Sequence, residues 1–304
     1  MNYAMYYDFD NYDDVYECIP AVKHGVTFKV FDCVVRIYKL NDPQIIFWVD
    51  GNVYSKEEAR GIFDKVSKLL SYLFALPFCS KENRCVEVSW VINANNSLSK
   101  KTSNTLCLLE KKINKFKKAY DFYSENLDLI NIALENLFKS RDEDAFLYFF
   151  KVIERIAKQY YIVYMQRHHT KATTRKNKQD LRVLLEAYAL NNLKLKLTED
   201  MLDRKVDLFY KSIKMEFYGS VFNKISLFVT NEQININGDI INRIVKVRNK
   251  IAHGDTVDNS TLECCLGECE YLAMQMFSFY FFRRPYDELH ITSYRYFDKI
   301  DPYK

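Results

Sequence analysis

Glycine and proline are scarce in this chain. Of its 304 residues only 7 are Gly and 5 are Pro, and neither type occurs between Pro77 and Gly219. Such low numbers exclude collagen-like, Pro-rich and linker-like chains, which need these residues in quantity. A long stretch without either residue favours helices, since Gly and Pro are the strongest helix breakers. We therefore predict a mainly α fold.

The sequence motifs that depend on glycine are also missing. The chain holds no G-x-G-x-x-G, no G-x-x-x-x-G-K-[ST] and no G-x-S-x-G. These absences exclude nucleotide sites built on Gly-rich turns and the nucleophile elbow of α/β-hydrolases. H-E-x-x-H is absent as well, and no set of His, Asp and Glu has metal-ligand spacing. We expect no cofactor and no metal.

Charge and hydropathy favour a cytoplasmic protein without a membrane partner. The net charge of +4 is too small to indicate a nucleic-acid binder by itself. Residues 1–20 contain five acids and no Lys or Arg, unlike a secretory signal. This segment is expected to be disordered or a surface strand; mimicry of nucleic acid and docking on a basic face are the alternatives.

The most apolar segments, 69–78 and 274–282, are too short to cross a bilayer. In the cytoplasm the eight cysteines would be reduced.

The first hundred residues have an α/β pattern. Strand-like segments occupy 26–40, 44–49 and 85–92, and Ser55 begins a capping box for a helix running to about Phe74. The polar segment 93–104 is predicted to be a linker. Residues 1–105 are therefore predicted to form an α/β module with a sensor or regulatory role, and residues 106–304 a helical bundle.

Helical periodicity dominates the rest of the chain. Ser124, Thr198 and either Ser260 or Thr261 are predicted as N-caps. The predicted helices lie near 106–123, 125–139, 142–166, 179–192, 199–217, 239–252 and 261–283.

Two stretches are locally basic. Residues 100–118 hold seven Lys against one Glu, and residues 166–179 hold five Lys or Arg, two His and no acid. Solvated faces or loops are the commoner explanation of such stretches, and RNA binding is the alternative, with Arg175 and Lys176 as candidate contacts. For His168 and His169 a flexible loop is favoured over a second acid/base. Three further candidates, Cys264, Cys265 and Cys269, lack zinc-ligand spacing and are expected to pack among the last helices.

The segment 241–255, INRIVKVRNKIAHGD, contains the residues best suited to chemistry. Its apolar positions form one helical stripe, whereas Arg243, Lys246 and Lys250 lie largely off it. Arg248 and His253 are five positions apart, which on a helix separates their directions by about 140°. A basic helix that simply ends in His-Gly is the alternative interpretation, because Gly254 suits a helix end.

The run Arg248-Asn249-Lys250-Ile251-Ala252-His253-Gly254 resembles the R-x4-6-H motif of the HEPN superfamily, in particular the Apea-like HEPN group. The resemblance implies a helical bundle with the motif late in the domain, and here an insertion around 167–235. It also implies an acidic residue on an earlier helix. Glu154 is the best counterpart, although pairing with Arg155 or Lys158 would explain it equally.

What the resemblance implies is a metal-independent endoribonuclease of toxin or anti-phage type. The 2′-OH of RNA would attack phosphorus and leave a 2′,3′-cyclic phosphate, with His253 moving protons, Arg248 holding phosphate oxygens and Asn249 orienting the His or contacting the phosphate. Lys250 would support the site, and Arg243 and Lys246 would bind RNA. Two motifs would share one cleft in a homodimer.

Two alternatives remain open. One is a non-catalytic HEPN module that binds RNA, nucleotide or a protein partner. The other is a helical interaction protein in which RNKIAHG merely ends a helix. In the enzyme interpretation, an antitoxin or trigger protein would act through the N-terminal module.

Overall fold

The structure, a computed structural model, is mainly helical with a small antiparallel sheet near the N-terminus. It describes residues 2–9, 26–30, 33–39, 45–50, 53–78, 80–89, 100–116, 119–168 and 171–290. The chain divides into two compact units, residues 1–152 with 247–304, and residues 153–246. We call them the first and second unit. The domain boundary expected at residue 105 stays a prediction.

Five strands form the sheet in the order β2-β3-β4-β1-β5, and all neighbours are antiparallel. β1 lies between β4 and β5, so residues 2–9 form an interior strand rather than the disordered segment or surface strand expected for residues 1–20; residues 10–20 lie outside the described residues. Ala4 of β1 is buried in one cluster with Ile46 and Trp48, which ties the strand into the core of the sheet. The strands are β1 (Asn2–Phe9), β2 (Val26–Val30), β3 (Cys33–Lys39), β4 (Ile45–Asp50) and β5 (Ser80–Val88).

Helix α1 (Lys56–Phe74) covers one face of the sheet. Its N-cap Ser55 accepts a hydrogen bond from the Glu58 N–H, as predicted, while the Glu58 carboxylate accepts from the Tyr54 N–H. Phe63 meets Phe47 of β4 edge to face, with ring centroids 6.1 Å apart. The helix therefore buries its apolar stripe against the sheet.

The end of α1 joins the sheet to the last helices of the first unit. The Tyr72 ring lies 4.8 Å from Phe277 and 5.1 Å from Tyr286, centroid to centroid. The Tyr286 hydroxyl donates a 2.8 Å hydrogen bond to the Tyr72 carbonyl oxygen. Burial raises the pKa of Tyr72 well above its usual value, because an ionised phenol would lie in an apolar core.

The other helices lying wholly in the first unit are α2 (Lys100–Ile113), α3 (Tyr120–Phe138), α9 (Asn259–Phe282) and α10 (Tyr286–Leu289). Two predicted N-caps are wrong. Ser124 lies inside α3, and Asp258 rather than Ser260 or Thr261 caps α9 by accepting from the Thr261 N–H. A carboxylate is the stronger acceptor at a helix start. The predicted linker 93–104 is helical from Lys100, and its first part lies outside the described residues.

The second unit contains α5 (Lys171–Asn192), α6 (Glu199–Gly219) and α7 (Val221–Asn231). Thr198 caps α6 as predicted. The sequence did not predict α7, since its β-branched and aromatic residues disfavour helix; buried Phe228 and its edge-to-face contact with Tyr160 at 4.8 Å stabilise it. Two more helices, α4 (Asp142–His168) and α8 (Gly238–His253), each have residues in both units. Across the described part of the chain, no helix is long and apolar enough to cross a membrane.

Candidate functional site

Helix α8 carries the Arg-His motif on its last turns, as the sequence predicts. The apolar stripe anchors it: Ile241, Ile244 and Val247 are buried. Toward the end the stripe is less covered, since Ile251 is half-buried and Ala252 is exposed. The motif therefore lies where the helix emerges from its packing.

The end of α8 has the two hydrogen bonds of a Schellman motif. The Gly254 N–H donates to the Ile251 carbonyl oxygen at 3.0 Å, and the Asp255 N–H donates to that of Lys250 at 2.9 Å. Gly254 has a φ of +78°, in the left-handed region. The backbone thus turns away directly after His253, whose side chain is exposed at the open end of the helix.

We predict that Gly254→Ala destabilises the protein by about 1–2 kcal/mol, because an L-residue is strained in the left-handed region. A Cβ at Gly254 would meet no atom within 4 Å, so backbone strain is the only expected cost. Urea unfolding would measure the change. Gly238→Ala is the matched control on the same helix; there too a Cβ meets nothing and φ is not positive. Equal stability of both variants would contradict the prediction.

Arg248 is held by two neighbours. Its Nη1 donates to Asn249 Oδ1 at 3.1 Å, and its Cζ lies 5.5 Å from the centroid of the Phe150 ring, on α4. The guanidinium thus rests on an aromatic face, which orients it. Phe150 was not predicted from the sequence. No local signal could have identified it, because the contact joins helices distant along the chain.

His253 and Arg248 do not share a helix face. With about 100° of rotation per residue, the five-residue spacing directs the two side chains about 140° apart. The exposed imidazole of His253 and the half-buried Arg248 are therefore presented in different directions by one copy of α8.

The remaining predicted site residues are divided between the units. Lys250 is exposed in the first unit. Glu154, in the second unit, is half-buried and has a partner of its own. The candidate RNA contacts Arg243, Lys246, Arg175 and Lys176 are exposed, and all four are in the second unit. Their roles stay predictions.

The other candidates are placed as follows. His168 is the last residue of α4 and its ring lies 4.4 Å from that of Tyr164, so the loop predicted there is helix up to this residue; His169 lies outside the described residues. Cys265 and Cys269 are buried, as expected, whereas Cys264 is exposed. In the described ranges no group of three or more His, Cys, Asp or Glu side chains is arranged to hold a metal.

Four residues separate Gly254 from the start of α9 at Asn259. Asp258 ends this connection, and its pKa is lowered to about 2 by hydrogen bonds from the Thr261 backbone N–H and from the Ser260 hydroxyl. Asp258 is therefore an anion that fixes the start of α9. This capping hydrogen bond and the Schellman motif together define both ends of the connection after His253.

Comparison with known proteins adds no assignment. No protein family matches this chain, and no curated protein or solved structure is significantly similar to it.

Proposed function

We propose that this protein is a metal-independent endoribonuclease of the HEPN type, with a composite site formed by two copies of the chain. The observation that carries the proposal is the ending of α8. It presents His253 at an exposed helix end closed by Gly254, and it holds Arg248 between Asn249 and Phe150. An exposed imidazole and an oriented guanidinium are the groups that phosphoryl transfer needs when no metal takes part.

The chemistry follows from the balance of protons. The RNA 2′-oxygen forms a bond to phosphorus while the bond from phosphorus to the 5′-oxygen breaks. One proton leaves the 2′-hydroxyl and one must reach the 5′-oxygen. A single imidazole is poorly placed to do both at once, so one His253 would act as base and the His253 of the second copy as acid.

Arg248 would stabilise the charge that develops on the non-bridging oxygens. A guanidinium offers a planar fork of N–H donors, which fits two oxygens of a phosphate better than an ammonium group does. Its contact with Phe150 would limit its motion before substrate binds, so less freedom is lost in the transition state. Asn249 would position Arg248 through the hydrogen bond to its Nη1.

The setting of toxin or anti-phage defence, with control by the N-terminal module, is part of the same proposal. It rests on the resemblance of RNKIAHG to the HEPN motif. A sheet-containing module attached to the bundle is suited to receive a trigger or an antitoxin. Expression of the wild-type chain is expected to arrest growth of a host when no such inhibitor is present.

The direct test is cleavage of a synthetic RNA by the purified protein in EDTA, with mass spectrometry of the product ends. We expect a 2′,3′-cyclic phosphate and a 5′-hydroxyl. A matched RNA with 2′-deoxynucleotides at the cleaved positions should resist, because the nucleophile is missing. Cleavage that EDTA abolishes, or that leaves a 3′-hydroxyl and a 5′-phosphate, would contradict the proposal. Binding of RNA without cleavage would favour the non-catalytic HEPN module.

A further inference from the structure

The turn between α5 and α6 exposes leucine and lysine side chains next to each other. Every residue from Leu190 to Lys196, in the order LNNLKLK, is exposed, and we call this stretch the hairpin tip. Among the described residues twelve large hydrophobic side chains are exposed, and three of them are Leu190, Leu193 and Leu195, each 53–55% exposed. A single exposed leucine needs no explanation, but three within six residues mark a surface that meets a partner.

Ion pairs place the hairpin tip at one end of two antiparallel helices. Lys178 of α5 pairs with Asp207 of α6 at 2.6 Å. Arg182, one turn later on α5, pairs with Asp203, one turn earlier on α6, at 2.7 Å. From there α5 continues for ten residues, about 15 Å of helix, whereas α6 begins four residues before Asp203. The tip is therefore the end of the hairpin, where side chains that point in different directions around a helix can all meet one flat surface.

Backbone hydrogen bonds fix the conformation of the hairpin tip. The N–H groups of Leu193 and Leu195 both donate to the Ala189 carbonyl oxygen, at 3.2 and 3.0 Å. Lys194, between the two leucines, has a φ of +54°, in the left-handed region, and this conformation turns the chain back toward α6. The exposed leucines are thus presented by a defined turn that is already formed before any partner binds.

The hairpin tip is also positively charged. Lys194 and Lys196 alternate with Leu193 and Leu195, and residues 187–198 contain no Asp or Glu. This alternation puts ammonium groups beside the exposed apolar side chains of the turn. A partner that fits the tip must therefore offer negative charge directly next to apolar groups.

The acids that flank the tip do not reverse its charge. Glu199, the first acid after it, is paired with Arg182. Glu186, the last acid before it, is exposed one turn before Leu190. The whole hairpin, residues 171–219, holds eleven basic and seven acidic side chains, so its net charge is +4. An anionic surface therefore attracts the hairpin as well as its tip.

An anionic lipid bilayer supplies both features that the tip requires. Its headgroups carry negative charge, and apolar side chains enter the boundary between headgroups and acyl chains to a depth of about 5–10 Å. RNA offers the negative charge, but nucleic-acid bases stack on aromatic side chains and not on leucines. The tip of a second copy of this chain would bring like charges together.

We infer that the hairpin tip binds an anionic membrane surface, with Leu193 and Leu195 inserted below the headgroups and Lys194 and Lys196 bound to them. The sequence favours a protein without a membrane partner because its apolar segments are too short to cross a bilayer, but binding at the surface requires no such segment. The inference does not depend on the nuclease proposal, since the tip contains none of the residues of the Arg-His motif.

The test is flotation of the full chain with phosphatidylcholine vesicles that contain about one third phosphatidylserine, compared with phosphatidylcholine alone. Wild type is expected to bind the anionic vesicles at least about 10-fold more tightly than the neutral ones. Leu193→Ser combined with Leu195→Ser should weaken binding to anionic vesicles at least about 10-fold, because apolar insertion is lost. Lys194→Gln combined with Lys196→Gln should weaken it by a similar factor, because the attraction to headgroups is lost.

Two matched controls lie on α6 of the same hairpin. Leu208→Ser combined with Phe209→Ser removes two exposed apolar side chains, 67% and 51% exposed, that lie about 14 Å or more from the start of α6. Lys205→Gln combined with Lys211→Gln removes two exposed charges away from the tip. Both controls should bind within about 3-fold of wild type, since attraction between charges falls off within about 10 Å at 0.1 M salt.

Three results would overturn the inference. They are a wild-type chain that does not float with anionic vesicles, a leucine variant that binds them like wild type, and controls that lose as much binding as the tip variants. Binding of RNA that the lysine variant loses, without vesicle binding by wild type, would assign the tip to RNA instead. Circular dichroism should show unchanged helix content in every variant, because the replaced side chains are exposed. RNA cleavage by the same samples separates this result from the fate of the nuclease proposal.

Discussion

Replacement of His253 by alanine is expected to lower the rate of RNA cleavage at least about 100-fold, and Arg248→Ala should have an effect of similar size. General acid–base catalysis by a positioned side chain contributes about 10²–10⁴-fold, and loss of one donor to a developing oxyanion costs about 10²–10³-fold. Single-turnover cleavage with enzyme in excess would measure both, since it isolates the chemical step from product release.

Arg248→Lys adds information on how the guanidinium acts. It keeps the positive charge but removes the planar fork and weakens the contact with the Phe150 ring, whose centroid is 5.5 Å from Arg248 Cζ. We expect Arg248→Lys to recover only a minor part of the activity. Full recovery would mean that Arg248 supplies charge alone.

Matched controls exist for both side chains. His168, like His253, is an exposed His at the last position of a helix, so His168→Ala tests whether any such His matters. Arg284 is a surface residue paired with Glu288 one turn later, so Arg284→Ala tests the loss of an ordinary surface guanidinium. Both controls should cleave RNA like wild type. If His253→Ala and His168→Ala have equal activity, the proposed role of the motif is wrong.

Glu270→Gln is expected to change how stability depends on pH. Glu270 lies in the core on α9, 6% exposed, and burial raises its pKa to about 8. The cause of this shift is the loss of water around the carboxylate in the core. Its folded-state pKa is above the unfolded value, so the folded state binds the proton more tightly. The stability this gives is present below about pH 4.5 and is lost as pH rises to about 8.

The expected stability difference between Glu270→Gln and wild type follows from the pKa shift of Glu270. A rise from 4.5 to about 8 corresponds to at most about 5 kcal/mol, at about 1.4 kcal/mol for each unit. Glutamine has no proton to lose, so the variant should gain stability relative to wild type by that order between pH 4.5 and 9. Urea unfolding at several pH values would measure the difference.

Glu263→Gln is the control for this prediction, because Glu263 is on the same helix and exposed. Its pH dependence should follow that of wild type. If the free energy of unfolding depends on pH in the same way for wild type and Glu270→Gln, Glu270 does not titrate between those pH values. The pKa of the Tyr286 hydroxyl is raised mainly by burial, and the charge of Glu270 adds to this rise. Glu270→Gln removes that contribution.

Much of the local structure follows from the sequence. The capping box at Ser55, the N-cap Thr198 and the glycine that ends α8 are each specified by residues within one helical turn. Such features depend on backbone N–H and C=O groups that a nearby side chain or a positive φ can satisfy. The Arg248-to-His253 motif belongs to this local class, which is why a linear pattern was sufficient to find it.

The tertiary structure decided three other features. It placed the first strand inside the sheet, it packed Phe150 against Arg248, and it stabilised α7 through Phe228. Each depends on a contact between segments far apart in the chain, and helix or strand propensity is weaker than the burial of an aromatic side chain.

The sequence by itself thus determined two features. Its scarcity of Gly and Pro led to a mainly helical protein, and Gly254 ended the helix directly after His253. The tertiary structure alone decided which side of each helix is covered. Helices α5 and α6 show the difference, because Leu184 and Tyr188 of α5 are exposed whereas the ion pair of Lys178 with Asp207 joins the two helices. Periodicity reveals that a helix has two faces, but only the packing of its neighbours determines which of them is left exposed.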